Sequence, residues 1–162
     1  MTDDKKAGRF SGKWAIVTVH PWLPSRSEQI ARARAWGVDE STLGAEDVSA
    51  LFVDDVRHVK RTTNWPAKLV ERSVFLEKMN KLQHVGDQVF FANPLCVGFS
   101  EKHARSTVEG LFDAGLVVYV HSVKDNGPAL YQKGDDMTEF YEGVGLMANA
   151  KHQSTHRKQK SK

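Results

Sequence analysis

Apolar positions along this chain fall into short runs separated by polar, turn-rich segments, and the period changes from run to run. Residues 14–19 (WAIVTV) are a continuous apolar, β-branched stretch, the pattern of a buried strand. His20-Pro21-Trp22-Leu23-Pro24 then turns the chain, with two prolines against an early helix. Ser25 or Ser27 can cap a helix over 26–36, and Gly37 ends it. Residues 50–53 (ALFV) read as a second strand with Asp54 and Asp55 at its end. Residues 56–70 have no clean period and read as a long loop. Val74, Phe75, Met79 and Leu82 mark an amphipathic helix over 71–83. Gly86-Asp87 leads into a third strand at 88–92, a turn at 93–100 and a helix at 101–114. A fourth strand follows at 116–121. Met137, Phe140, Tyr141, Val144 and Met147 outline a last helix over about 135–150, weakened by Gly143 and Gly145.

Strands that alternate with helices predict an α/β fold: a mostly parallel four-stranded sheet flanked by helices in three layers. In such a fold ligands meet the C-terminal ends of the strands. Those ends carry His20, Asp54-Asp55, the 93–100 turn and His121-Ser122.

Composition adds little to the fold but constrains the chemistry. Mean hydropathy is −0.47, and no apolar run approaches the roughly 20 residues of a membrane helix. The expectation is a cytoplasmic protein without a membrane partner. Residues 1–13 read as a disordered polar leader, 14–150 as one domain and 151–162 as a basic tail. A single cysteine, Cys96, excludes an internal disulfide and a cysteine metal framework. It reads as a buried filler. Net charge is +3, yet residues 151–162 hold five cations and no acid, which leaves −2 for residues 1–150. Attraction to nucleic acid is therefore expected at Lys151, Arg157, Lys158, Lys160 and Lys162, helped by Arg57, Lys60 and Arg61 beside Trp65. Asp54, Asp55 and His58 lack a further matched ligand, so no metal site is expected, and no cofactor either.

The order of these pieces resembles the catalytic domain of the serine recombinases, the resolvase/invertase family, over about 14–122 and more weakly to 150. The first strand stands where that family has Tyr-x-Arg-Val-Ser. Gln29-Ile30 through Trp36-Gly37-Val38 looks like its first helix, and Leu51-Phe52-Val53-Asp54 like its Ile-Phe-x-Asp strand. Arg72 and the helix after it resemble its Arg-x-x-Leu-x-x-Leu segment. Gly86-Asp87, a strand and Leu95-Cys96-Val97-Gly98-Phe99-Ser100 resemble Gly-Asp, a strand and Asp-Arg-Leu-Gly-Arg-Ser. Asp113-Ala114-Gly115 and the strand Val117-Val118-Tyr119-Val120 complete the set.

The resemblance implies a pocket and also the loss of its reaction. Strand cleavage in that family uses a serine nucleophile and several arginines on the phosphate. By position the nucleophile falls at His20 and the arginine before it at Thr18. The turn arginines fall at Cys96 and Phe99, and the acid before them at Leu95. Gln29, Arg72 and Ser100 keep a family-like identity. The expectation is a recombinase-like domain inactive in DNA strand cleavage, with a DNA-associated, assembly or regulatory role. Its expected partners are the DNA phosphate backbone without sequence selection, a second copy, or a recombinase-like partner. Two alternatives stand beside it. One is an active site-specific recombinase or nicking enzyme that uses Ser25 or Ser27 as a relocated nucleophile. The other is a flavodoxin-like protein–protein interaction domain. The family usually continues into a long helix, a dimer face, and a helix-turn-helix. The last helix stripe stands where that face would be, and with the chain ending at Lys162 no sequence-reading module is expected.

Overall fold

A computed structural model describes residues 12–38, 51–57, 69–82, 86–122 and 127–160. The elements run β1 (Lys13–Val19), α1 (Arg26–Trp36), β2 (Leu51–Asp55), α2 (Val70–Leu82), β3 (Gln88–Phe91), α3 (Pro94–Val97), α4 (Glu101–Asp113), β4 (Val117–Ser122), β5 (Gly127–Tyr131) and α5 (Thr138–Lys160). The sheet order is β2-β1-β3-β4-β5. The first four strands are parallel, and β5 runs antiparallel to β4. The fold is therefore α/β with a mostly parallel sheet, but with five strands rather than four.

The fifth strand opens with Gly127-Pro128, a pair that marks turns rather than strands. Proline cannot donate to a ladder and is tolerated on an edge strand, and β5 closes one edge of the sheet with Pro128 opposite His121.

Alternation along the strands divides the core between two faces. Trp14 and Ile16 of β1, Phe52, Phe91, Val118 and Val120 point to one side, where they meet Phe75 and Met79 of α2, Val108 and Leu111 of α4, and Tyr141 and Val144 of α5. Ala15, Phe90 and Ala92 point to the other, against Ala33 and Trp36 of α1. Trp36 stacks on Phe90 at 5.2 Å between ring centroids. Helices thus cover both faces, giving three layers. Burial on both sides also explains why β1 carries no polar alternation: Trp14 through Thr18 are all buried.

Local chemistry sets the element ends. Ser25 caps α1 by accepting the Glu28 N–H, and Gly37 leaves that helix at φ 132°. Asp87, at the entry to β3, is buried and accepts the Trp14 indole N–H at 2.7 Å and the Gly12 N–H at 3.0 Å. The Gly86-Asp87 pair therefore fastens the start of β3 to that of β1.

α5 is longer than its apolar stripe predicts. It spans 23 residues and continues through Lys160, so residues 151–160 extend a helix rather than begin a separate segment. Met137, Tyr141, Val144 and Ala148 are buried in the domain's own core, with Phe140 and Met147 partly buried beside them. Leu146 lies on the opposite side, 71% exposed. No helix among the described residues is long and apolar enough to cross a membrane.

Candidate functional site

The sheet reverses its strand order at β1, which is flanked by β2 and β3. The C-terminal ends of β1 and β3 open onto the crevice where an α/β sheet of this kind presents its ligand residues. Two segments line it: the loop His20–Pro24 after β1 and the segment Asn93–Ser100 after β3. Asn93 caps the short α3 by accepting the Leu95 N–H, and Pro94 opens that helix.

At the bottom of the crevice lies Arg72, from the first turn of α2 and only 5% exposed. Asp54, at the end of β2, directs it there. Its carboxylate accepts the backbone N–H groups of Glu71 and Arg72 at 2.9 and 3.0 Å, so it caps the start of α2. The guanidinium then reaches three other elements. Nη2 donates to Thr18 Oγ1 at 3.0 Å and to the Cys96 carbonyl at 2.5 Å. Nη1 donates to the Val97 carbonyl at 2.8 Å and to Thr107 Oγ1 at 3.3 Å. Nε has no partner. Four of the five N–H donors of this guanidinium thus end on protein oxygens. Burial lowers its pKa to about 10, opposed by the Cys96 thiol and Asp54.

Gln29 forms the second half of the cluster. Fully buried on α1, it accepts the Thr18 N–H at 3.2 Å and donates to the Thr18 and Pro24 carbonyls at 2.7 and 2.8 Å. The Cys96 thiol donates to Gln29 Oε1 at 3.4 Å. Burial pushes that thiol up to about 12, against the opposing pull of Arg72, so its thiolate form is scarce at neutral pH.

An aromatic cap lies above. The His20 and Phe99 rings approach to 4.6 Å between centroids, and Trp22 meets them at 5.1 and 5.9 Å. His20 Nδ1 accepts the Trp22 N–H at 3.1 Å. On the inner side, His103 Nδ1 accepts the Phe99 N–H at 3.0 Å. Burial and the nearby Arg72 depress His103 to about 3, and burial lowers His20 as well. Ser100 Oγ caps α4 by accepting the His103 N–H at 3.0 Å.

Thr18, His20, Gln29, Arg72, Cys96, Phe99 and Ser100 therefore gather at one strand-end crevice. Ser25 and Ser27 lie at its rim, exposed at the start of α1, with their hydroxyls 3.3 Å apart. The hydroxyls that meet Arg72 belong instead to Thr18 and Thr107. Asp55 does not join Asp54: it pairs with Arg57 on the surface at 2.6 Å. His121 is half-buried on β4, lowered by burial and by Arg32. Lys151 is exposed on α5. Arg157, Lys158 and Lys160 continue that helix, with side chains outside the described residues, as are His58, Lys60, Arg61, Trp65 and Lys162.

Sequence reasoning missed Thr107 and His103 as members of this site. Both lie on the buried face of α4, and the sole signal for either was a polar residue among Ala104, Val108 and Leu111 at helical spacing. As an assembly, the site holds a cation in place but presents little of it outward. No protein-family model matches the chain, and no curated protein is a significant match to it.

Proposed function

We propose that this chain is a resolvase-like α/β domain that does not cleave DNA strands and serves a DNA-associated or assembly role. One observation carries the reading. Positions far apart in the sequence, singled out by their likeness to a recombinase pocket, meet in a single hydrogen-bonded cluster around Arg72. The long α5 that follows the sheet fits the same resemblance.

The chemistry of the cluster argues against catalysis. A phosphodiester transferase needs a nucleophile and preorganised donors aimed at the reacting phosphate. Here His20 stands in the nucleophile position, half-buried under aromatic rings. Arg72 is committed to two carbonyls and two threonine hydroxyls. Losing one preorganised donor commonly lowers a rate by ~10²–10³, and this pocket lacks several. What remains for DNA is the phosphate backbone, met by the cations of the C-terminal helix.

The test is incubation of the protein with supercoiled DNA, followed by a denaturing gel for a covalent adduct. The expected result is no adduct, together with DNA binding that weakens as salt rises. Deletion of residues 151–162 is expected to flatten that salt slope. An adduct that disappears in Ser25→Ala or Ser27→Ala would establish an active enzyme instead. Absence of binding at low salt would leave a protein-interaction domain without the DNA role.

A further inference from the structure

We propose that the cap over the crevice is an acid-released clasp: when the imidazoles of His20 and His103 take up protons, the His20–Pro24 loop and the Gly98–Ser100 turn part and uncover the Arg72 guanidinium. The proposal rests on contacts within the domain and holds whether or not the domain meets DNA.

Both histidines use Nδ1 as an acceptor for a backbone N–H, His20 from Trp22 and His103 from Phe99. That arrangement requires neutral imidazole, because protonation turns both ring nitrogens into donors. An Nδ1–H facing a backbone N–H is repulsive, so each proton taken up opposes one of these bonds. The same two residues support the contact between the segments. His20 lies against Phe99 from the loop side, and His103 holds the Phe99 backbone from the α4 side with its ring 6.0 Å away.

The part of the turn that moves is defined by Arg72. Its bonds to the Cys96 and Val97 carbonyls hold the chain up to residue 97. Beyond that point, Phe99 is retained by the two histidines and by its packing with Trp22, Leu23, Val56 and Leu69. The charge beside His103 sets an order of release. Burial lowers the His20 pKa, and the rings of Trp22 and Phe99 lie against it. His103 faces Arg72 from α2, with Asp54 of β2 behind it, while on α4 Glu101 and Arg105 pair with each other and Arg105 lies over the Tyr141 ring of α5. A second positive charge beside Arg72 is resisted, so His20, the outer half-buried residue, takes up its proton first and His103 follows.

The test is NMR of the ¹⁵N-labelled full chain from pH 7.5 to 4.5, with amide exchange corrected for its intrinsic pH dependence. The Trp22 amide is expected to lose protection below the free imidazole value, by up to about tenfold per pH unit for one linked proton. Phe99 follows at lower pH, while Val89, Phe90 and Phe91 in β3 stay protected. His20→Gln, a change in a half-exposed loop, is expected to remove the pH dependence at Trp22, and His103→Asn that at Phe99. Three results would overturn the clasp: both amides remaining protected while the imidazoles titrate, both opening only together with β3, or His20→Gln opening over the same pH range as the parent. Should His103→Asn fail to fold, the Trp22 amide in the parent and in His20→Gln decides the matter.

Discussion

Arg72 Nη2 donates to Thr18 Oγ1 at 3.0 Å, joining the first turn of α2 to the end of β1 across 54 positions of sequence. The same guanidinium holds the turn after β3 and the middle of α4. It is a cross-link among four elements before it is anything else.

Replacement of Arg72 by Met is therefore expected to destabilise the fold. The change keeps the aliphatic stem but leaves the Cys96 and Val97 carbonyls without their donors. Hydrogen bonds to charged groups contribute about 1.5–3 kcal/mol each, and stranding buried acceptors adds to the loss, so a decrease of about 3–5 kcal/mol is expected. Urea unfolding followed by circular dichroism measures it. A loss below about 1 kcal/mol would show that the carbonyls find other donors.

Stability is expected to fall in mild acid through His103. Its folded pKa, about 3, lies below its ordinary value of 6.5, so the fold favours neutral imidazole. The contribution is complete above pH 6.5 and is lost progressively as pH falls from there toward 3. Between pH 6.5 and pH 5 this amounts to about 2 kcal/mol. Urea midpoints across that range provide the measurement. In a folded His103→Asn variant the slope should be shallower by about one proton.

Two glycines predict opposite outcomes on substitution. A Cβ at Gly98 would lie 2.4 Å from the Ala104 backbone nitrogen and 2.7 Å from its Cα, and helix backbone cannot yield as a side-chain tip would. Gly98→Ala should force the turn off α4 and lower the melting temperature markedly. A Cβ at Gly143, inside α5, meets nothing within 4 Å. Gly143→Ala should stabilise the protein by about 0.5–1 kcal/mol through helix propensity alone. Thermal melts of the two variants check both signs together.

Cys96 should resist thiol reagents in the native protein. It is 1% exposed and its thiol is pushed up to about 12, so thiolate is scarce and access is blocked. Reaction with a chromogenic disulfide at pH 8 is expected only after denaturant is added. Rapid labelling of the native protein would mean that the crevice opens readily at neutral pH.

The alternation of strands and helices was legible in the sequence because both patterns are strong where the layers are buried on both sides: 14–19 is unbroken and 101–114 is amphipathic. The fifth strand was not, because its edge position permits Pro128, and Gly-Pro is a turn signal rather than a strand signal. The extent of α5 was obscured for a related reason. Its buried apolar stripe runs to Ala148, and the polar remainder of the sequence has no period to read. At the crevice, Gln29 and Arg72 could be singled out by resemblance. Their roles could not, since which oxygens a buried guanidinium reaches depends on elements brought together from four parts of the chain. Asp54 and Asp55 read alike at the end of the second strand, yet Asp55 faces outward while Asp54 caps α2; strand alternation separates the two.

The Arg72 bonds carry a consequence for how the chain folds. They link it to residues 54, 35, 25 and 24 positions away. Contacts of such long range require costly loop closure and form slowly compared with local helical turns. Newly synthesised chain can wind α1 or α2 early, but the crevice cannot take shape until β1, β3 and α4 have docked around a single guanidinium. The site is thus a late product of folding and an indicator of its completion: a chain in which Arg72 is satisfied has already assembled its sheet.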